Sequence, residues 1–415
     1  MSTMDDQQVA VGSLDGDIRK CRMARIQLTV RGKDGRAVAE QDITLNMVRH
    51  KFLFGSNAFT LNPDENTGHQ QAYQQHFTRI FNFATLPFYW AGFEPARGQL
   101  KTGQIMKQAR WLQTRKIRTK GHPLVWRQVF PRWINAGIES AGHLQMARVA
   151  REVETFAGVT DVWDVINEVT DWSKVTASFD HPLTHLYQQI GDVELVRRSF
   201  ETARAANPDA VLLINDYDSS DDYARLIERC LEAGVSIDAI GIQSHMHMGL
   251  WTSEATREVL DRFGRFGLPI HFTETTLISG DRKQDINWWG RYDDWVSDPE
   301  GEARQARQVV EFYSLLFAHP CVQAITWWDF SDWNAWLGAP AGLIRKDMTP
   351  KPAYTALERL IRQEWWTPVQ RLRTNRNGEL DFQGFLGDYE VESGDRHAFF
   401  TVSQCGAVTT VVALE

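Results

Sequence analysis

The chain has 415 residues, enough for one barrel-sized domain and a smaller companion. Hydrophobic residues make up 43% and charged residues 24%, the balance of a water-soluble globular chain. A net charge of −8 without a basic run speaks against a nucleic-acid partner, no stretch reaches transmembrane length, and Cys21, Cys230, Cys321 and Cys405 stand too far apart for a disulfide framework or a zinc site.

Residues Met1 to Arg22 are polar and acidic and lack the apolar run of a signal peptide, so a cytoplasmic location is expected. Residues 23–48 alternate apolar and polar on both sides of Gly32-Lys33-Asp34-Gly35. That pattern predicts a hairpin in an antiparallel sheet with one wet face. From residue 52 short apolar strands alternate with helix-length segments. Strands are expected near 52–59, 82–90, 117–126, 161–169, 210–218, 237–247, 269–277 and 322–331. Amphipathic helices are expected at 101–115, 139–156, 185–206, 221–233, 253–265 and 302–319, with Asn207-Pro208 and His319-Pro320 ending two of them.

Eight such βα units fit a (β/α)8 TIM barrel better than a doubly wound sheet, whose functional residues would gather at one switch point. Here polar residues sit at the ends of many strands: His122, Asn167-Glu168, Asn215-Asp216, Gln243-Ser244-His245, Glu274, and Asp329 to Asp332. After a last helix near 351–362 the chain turns β-like again, with Asn377-Gly378, Gly384 and Gly387 among alternating runs. A segment this short rarely holds a core alone. It is expected to join the N-terminal hairpin in a small accessory β-sandwich. The expected domains are an N-terminal β segment at 1–50, the barrel at 51–364 and a C-terminal β segment at 365–415.

Two apolar strands end in a carboxylate: Trp163-Asp164-Val165-Ile166-Asn167-Glu168 and Pro269-Ile270-His271-Phe272-Thr273-Glu274. A carboxylate there is unfavourable unless something pairs with it or uses it. Two carboxylates across a cleft, one protonated and one ionised, are the minimal equipment for glycoside hydrolysis. His245 on the preceding strand is placed to donate to Glu274, and Asn167 beside Glu168 is suited to bond a sugar hydroxyl. Either glutamate alone would serve equally well as half of a structural salt bridge; the pair, with His122, Asn167, Gln243 and His245 nearby, favours a site. The 16 tryptophans exceed what packing needs, and the surplus is read as lining for flat apolar faces such as sugar rings.

Over residues 52 to about 362 the chain resembles glycoside hydrolase family 10, the xylanase family. The matching motifs are Gly121-His122-Pro123-Leu124-Val125-Trp126, Trp163 to Glu168, Asn215-Asp216-Tyr217-Asp218, Gly241-Ile242-Gln243-Ser244-His245, Thr273-Glu274, and Ile325-Thr326-Trp327-Trp328 with Asp332 and Trp336. The resemblance implies a retaining barrel glycosidase with no cofactor or metal. Its partner would be a polysaccharide or oligosaccharide, cleaved as β-1,4-linked xylan or a related plant β-glycan. Glu168 matches the family's acid/base and Glu274 its nucleophile. His122, Asn167, Gln243, His245, Trp328 and Trp336 match sugar-binding and supporting positions, and Trp126 and Tyr89 complete the expected substrate-binding set.

The departures bear on specificity. Where the family usually has Thr-Pro-Glu-Asn-x-Met-Lys-Trp, this chain has Thr85-Leu86-Pro87-Phe88-Tyr89-Trp90, so three polar binders become Thr85, Leu86 and Tyr89. Losing buried hydrogen-bonding groups changes which sugar fits. Thr276 stands where the family has an Asp that orients His245, and Asp329 where it has Gly. The Phe88-Tyr89-Trp90 and Glu94-Pro95 variant resembles a divergent branch that includes bacterial tomatinase-like enzymes, which remove sugars from plant glycosides. The alternatives are thus a related glycosidase with another glycone, or a carbohydrate-binding protein with impaired catalysis. His245-x-His247 lacks the further ligands of a metal pair. Trp288, Trp289 and Trp295 are expected in a lid or an anchored insertion, and Glu94-Pro95 in a structural turn.

Overall fold

The computed structural model describes residues 14–135, 137–173 and 179–415. Contacts divide the chain into two compact units. One comprises Phe54–Gln305 and Ala324–Lys351, the other the chain up to Leu53 with Ala306–Gln323 and Pro352–Glu415. After a helical stretch at 14–22, the chain enters strands β1 (Met23–Gly32) and β2 (Asp42–His50).

Eight parallel strands then follow: β3 (Leu53–Asn57), β4 (Phe83–Pro87), β5 (Arg118–His122), β6 (Val162–Asn167), β7 (Val211–Asp216), β8 (Ala239–Met246), β9 (Ile270–Leu277) and β10 (Val322–Trp327). They close into a barrel in the order β10-β3-β4-β5-β6-β7-β8-β9. This is the (β/α)8 architecture expected from the alternation of apolar strands and amphipathic segments. Strands β6 and β9 are buried along their whole length, as parallel strands covered on both faces must be. Two strands are shorter than expected for a chemical reason. Their pairing stops at Pro87↔His122, and Pro123, without an N–H, cannot extend the ladder.

The helices between the strands start where side chains can cap them. Thr67, Ser220 and Thr252 accept from Gln70, Asp222 and Ala255 backbone N–H groups. The expected helix at 185–206 is two, Pro182–Ile190 and Asp192–Ala206, because Gly191 between them takes φ +81°, outside the helical region. A helix at Gly68–Ile80 was not anticipated; its polar sequence shows little apolar periodicity.

The other unit corrects the hairpin reading. Beyond the turn at 32–35, only one antiparallel bridge, Arg31↔Ala37, joins the two arms. The chain then crosses, and β1 and β2 enter different sheets. The C-terminal strands are β11 (Gln370–Arg373), β12 (Glu379–Phe385), β13 (Gly387–Ser393), β14 (Arg396–Val402) and β15 (Gly406–Leu414). One sheet runs β12-β1-β15, the other β11-β2-β13-β14, so strands from both chain ends build both sheets. β1 pairs with β15 in parallel, which alternation cannot reveal. Phe382 of the first sheet packs edge-on against Tyr389 and Phe400 of the second, at 5.6 and 6.3 Å between ring centroids. Among the described residues no helix is long and apolar enough to cross a membrane.

One glycine of the barrel is required by space. A Cβ on Gly121 would lie 2.1 Å from Cζ3 of Trp163, a fully buried ring held edge-on by Phe88 at 4.8 Å. Gly121→Ala therefore forces the indole or strand β5 to move. It is expected to destabilise the protein by about 3 kcal/mol, the upper part of the overpacking range, read from the chemical-denaturation midpoint. An unchanged midpoint would contradict this packing.

Candidate active site

A cavity of about 1050 Å³ opens where the barrel strands end, and all ten residues singled out from the sequence line it: Tyr89, His122, Trp126, Asn167, Glu168, Gln243, His245, Glu274, Trp328 and Trp336. The strands that carry the two glutamates each hold an extra residue just before them. Between β6 and β7 the register steps from Asp164↔Leu213 to Ile166↔Ile214, which leaves Val165 unpaired. Between β8 and β9 it steps from Ile242↔Phe272 to Gln243↔Glu274, which leaves Thr273 unpaired. Such bulges re-aim the side chains that follow.

Glu168 takes φ +54° and ψ +41°, a left-handed conformation that costs a non-glycine residue roughly 1–2 kcal/mol. The turn is held from β7. Glu168 N–H donates to the Asn215 carbonyl at 2.8 Å, and Asp216 accepts from the Thr170 N–H at 3.1 Å and hydroxyl at 2.9 Å. The carboxylate accepts at Oε2 from Trp126 Nε1 (2.9 Å) and Gln128 Nε2 (3.1 Å), and at Oε1 from Gln243 Nε2 (3.2 Å). Burial, then the negative charges of Glu274 and Asp216, outweigh the Gln243 and Trp126 hydrogen bonds and push its pKa up to about 8.

Glu274, 5% exposed, is pushed the other way. Burial alone would raise its pKa. The charge of His122, the hydrogen bond and charge of His245, and the charge of Lys120 overcome that and hold it below the ordinary carboxylate value. Asn215 Nδ2 donates to Oε1 at 3.0 Å, while His245 Nε2 lies 3.1 Å from Oε2 and His122 Nε2 3.9 Å from Oε1. The far side of His122 is anchored too: its Nδ1 lies 2.7 Å from Asp164 Oδ2, which also takes Lys120 Nζ at 2.6 Å. The far side of His245 meets Thr276 Oγ1 at 3.1 Å, and that hydroxyl also lies 2.8 Å from the Trp328 carbonyl. The histidine therefore keeps a partner where the family resemblance implies the loss of an orienting carboxylate.

Asn215 joins the two halves. Its Oδ1 accepts from Thr273 Oγ1 at 2.6 Å, which turns Nδ2 toward Glu274 and toward Asn167 Oδ1 at 2.7 Å. Gln243 Nε2 reaches the same Asn167 oxygen at 3.3 Å. An amide chain thus runs from one glutamate to the other. A Cβ at Gly241 would lie 2.4 Å from Asn215 Oδ1, so this position on β8 has room only for glycine.

Aromatic rings form the walls. Phe59 stands edge-on between Tyr89 (5.8 Å) and Trp328 (5.1 Å), and Trp288 stacks on Trp336 at 5.5 Å. Of the three expected replacements near the second strand only Tyr89 reaches the cavity; Thr85 and Leu86 are fully buried elsewhere. Trp288 and Trp289 line the cavity, whereas Trp295 is a core residue that donates to the Asp281 carbonyl at 2.6 Å. Burial puts the His247 pKa well below its ordinary value, and its ring packs edge-on against Trp288 and Trp336. Among the described residues no group of three His, Cys, Asp or Glu side chains is placed to hold a metal ion. Glu94 sits in a turn, where it accepts from Gly98 N–H at 2.8 Å and Trp90 Nε1 at 3.2 Å.

Several contributors to the site have no role assigned from the sequence. Asn215 and Asp216 were visible as polar residues at a strand end but carried no assigned role. Asp164 lies within an apolar strand, where the only signal is its unfavourable burial, and Lys120 lies among the polar residues of β5, where nothing sets it apart. Gln128 sits in a loop that offered no signal.

Residues 46–360 match the profile described as Glycosyl hydrolase family 10. Endo-1,4-beta-xylanase B of Thermotoga neapolitana is 26% identical over 347 residues, which cover 78% of this chain and 93% of that protein. Endo-1,4-beta-xylanase C of Paenibacillus barcinonensis is 26% identical over 367 residues, covering 77% of this chain but only 32% of that protein. Among solved structures, native xylanase 10B from Thermotoga maritima superposes with a TM-score of 0.62 at 25% identity, over 76% of this chain and 96% of that one.

The raised pKa of Glu168 links its ionisation to stability. In the unfolded chain the carboxyl ionises near its ordinary value of 4.5, in the folded protein only near 8. The stability this group contributes at low pH is therefore lost as pH rises through that window. Glu168→Gln, which removes the titration, is expected to leave the melting temperature at pH 4 close to wild type and to raise it at pH 8. An equal shift at both values would refute the raised pKa.

Proposed function

The chain belongs to glycosyl hydrolase family 10, and we propose that it is a retaining glycosidase cleaving β-1,4-linked xylan or a related plant β-glycan by double displacement. Glu168 is the acid/base and Glu274 the nucleophile. The observation that carries this reading is the opposed pull on two carboxyls in one cavity, up to about 8 for Glu168 and below the ordinary range for Glu274. Separated pKa values in a carboxyl pair are what an acid and a nucleophile need.

At neutral pH Glu168 keeps its proton and gives it to the glycosidic oxygen as the bond to the anomeric carbon breaks. The Glu274 carboxylate attacks that carbon and forms a glycosyl ester. Glu168, now ionised, takes a proton from water, whose oxygen displaces Glu274 and restores both groups. His245 and Asn215, on the two oxygens of Glu274, hold the carboxylate in one orientation through both steps. His122 supports its charge from the cavity wall.

The Thr276 hydroxyl beside His245 Nδ1 favours a working site over one that only binds carbohydrate. A second reading keeps the reaction and changes the sugar. Tyr89, which stands at one of the family's polar-binder positions, walls the cavity with Phe59 packed against it, which favours a glycone other than a run of xylose units. The partner in either case is a polysaccharide, an oligosaccharide or a glycoside.

Hydrolysis of aryl β-xylobioside, β-xyloside, β-glucoside and β-arabinoside, followed by proton NMR of the first anomer released, tests both readings. Retention of configuration is expected on whichever glycoside is cleaved. Glu168→Ala is expected to lose about 10²–10⁴-fold on an unactivated glycan and far less on a dinitrophenyl glycoside, whose leaving group needs no acid. Glu274→Ala is expected to lose turnover of both. An inverted product, or full activity in Glu274→Ala, would rule out double displacement.

A further inference from the structure

We infer that Asp329 is a specificity-determining residue: its carboxylate accepts hydrogen bonds from hydroxyls of the sugar seated over Glu274, facing the Tyr89 hydroxyl as donor. The inference rests on the glycosidase reading above and adds to it the group that selects the sugar. Asp329 follows Trp328 at the end of β10 and lines the same cavity as both glutamates. Asn57 Nδ2 donates to its Oδ1, and the Trp336 N–H donates to its Oδ2 at 2.6 Å. A carboxylate oxygen has two acceptor sites. Each oxygen of Asp329 therefore has one site satisfied by protein and one left for what enters the cavity.

The surroundings argue against a mere strut. The cavity that Asp329 lines has the rings of Phe59, Tyr89, Trp328 and Trp336 in its walls. Burial raises the pKa of its carboxyl, and Glu274 nearby opposes its charge, while Asn57, the Trp336 N–H and His245 favour the ionised form. A Ser hydroxyl oxygen could accept from one of these donors without the unfavourable desolvation of a charge, whereas an Asn would set its amide N–H groups against the second. What a carboxylate adds is strong acceptance from hydroxyls and repulsion of acidic sugars. Tyr89 complements it: its ring stands 5.4 Å from His122 and 5.7 Å from Trp126, and its hydroxyl has no hydrogen-bond partner among the described residues. His245, 3.1 Å from Glu274, packs 5.0 Å from the Trp336 ring, and the Trp336 N–H holds Asp329, which puts Asp329 on the nucleophile's side of the cavity. In double displacement the sugar on that side is the one transferred, so the substrate class is a neutral glycoside with free hydroxyls on the transferred unit.

The test uses 4-nitrophenyl β-xyloside, β-xylobioside and β-glucoside, each with its monodeoxy analogues, on wild type, Asp329→Ala and Asp329→Asn. Turnover gives kcat/KM, and quenching of tryptophan fluorescence gives binding. Removing the recognised hydroxyl is expected to lower wild-type kcat/KM by roughly 10- to 100-fold, the range for a hydrogen bond to a charged group, and to change the Asp329→Ala enzyme less than threefold. A purely structural role would lower both enzymes by the same factor at every hydroxyl. Hydrolysis with such equal penalties overturns the Asp329 assignment and leaves the glycosidase standing. Binding that loses its hydroxyl dependence in Asp329→Ala, without hydrolysis, overturns the glycosidase and leaves the assignment standing. No binding and no hydrolysis by any of these glycosides overturns both.

Discussion

Two carboxyls of like charge buried in one cavity cannot both be ionised without large unfavourable work, and the site of this protein is built around that constraint. The structure resolves it asymmetrically. Glu274 receives His245, Asn215 and the charge of His122, itself braced by Asp164 and Lys120. Glu168 receives two indole and amide donors on one oxygen and one amide on the other, too little to offset burial beside Glu274 and Asp216. Burial first, then the neighbouring charges of Glu274 and Asp216, keep the proton on Glu168.

That asymmetry depends on backbone details distributed over four strands. Bulges at Val165 and Thr273 aim the two glutamates, and the left-handed turn at Glu168 is held in place by Asn215 and Asp216. Gly241 leaves Asn215 the room to bridge both halves. Each is locally unfavourable or restrictive, and each is stabilised by the barrel around it, as expected where function overrides local preference.

The parts of this arrangement that are periodic were legible in the sequence. Apolar strand runs ending in Asn167-Glu168 and Glu274, alternating with amphipathic helices, point to a parallel barrel with carboxylates at one end. The parts that depend on pairing were not. The alternation around Gly32 to Gly35 reads as a hairpin because local pattern carries no information on which strand lies beside β1; only the structure shows β15 there, in parallel, and β2 in the other sheet. Nor does sequence separate Tyr89, which reaches the cavity, from Thr85 and Leu86, which point into the core, since a strand end can turn either way. Gln128 and the Thr276 contact to His245 lie equally outside any local signal.

The division of the two glutamates into a protonated and an ionised member is open to direct measurement. Carbon-13 NMR titration of side-chain carboxyls in protein labelled only at glutamate, with Glu168→Gln and Glu274→Gln for assignment, measures this without any choice of substrate. One carboxyl is expected to titrate near 8, to vanish in Glu168→Gln and to move down in Glu274→Gln, where a neighbouring charge is gone. A Glu168 signal that titrates in the ordinary carboxylate range, or a high-pKa signal that belongs to Glu274, would contradict that division.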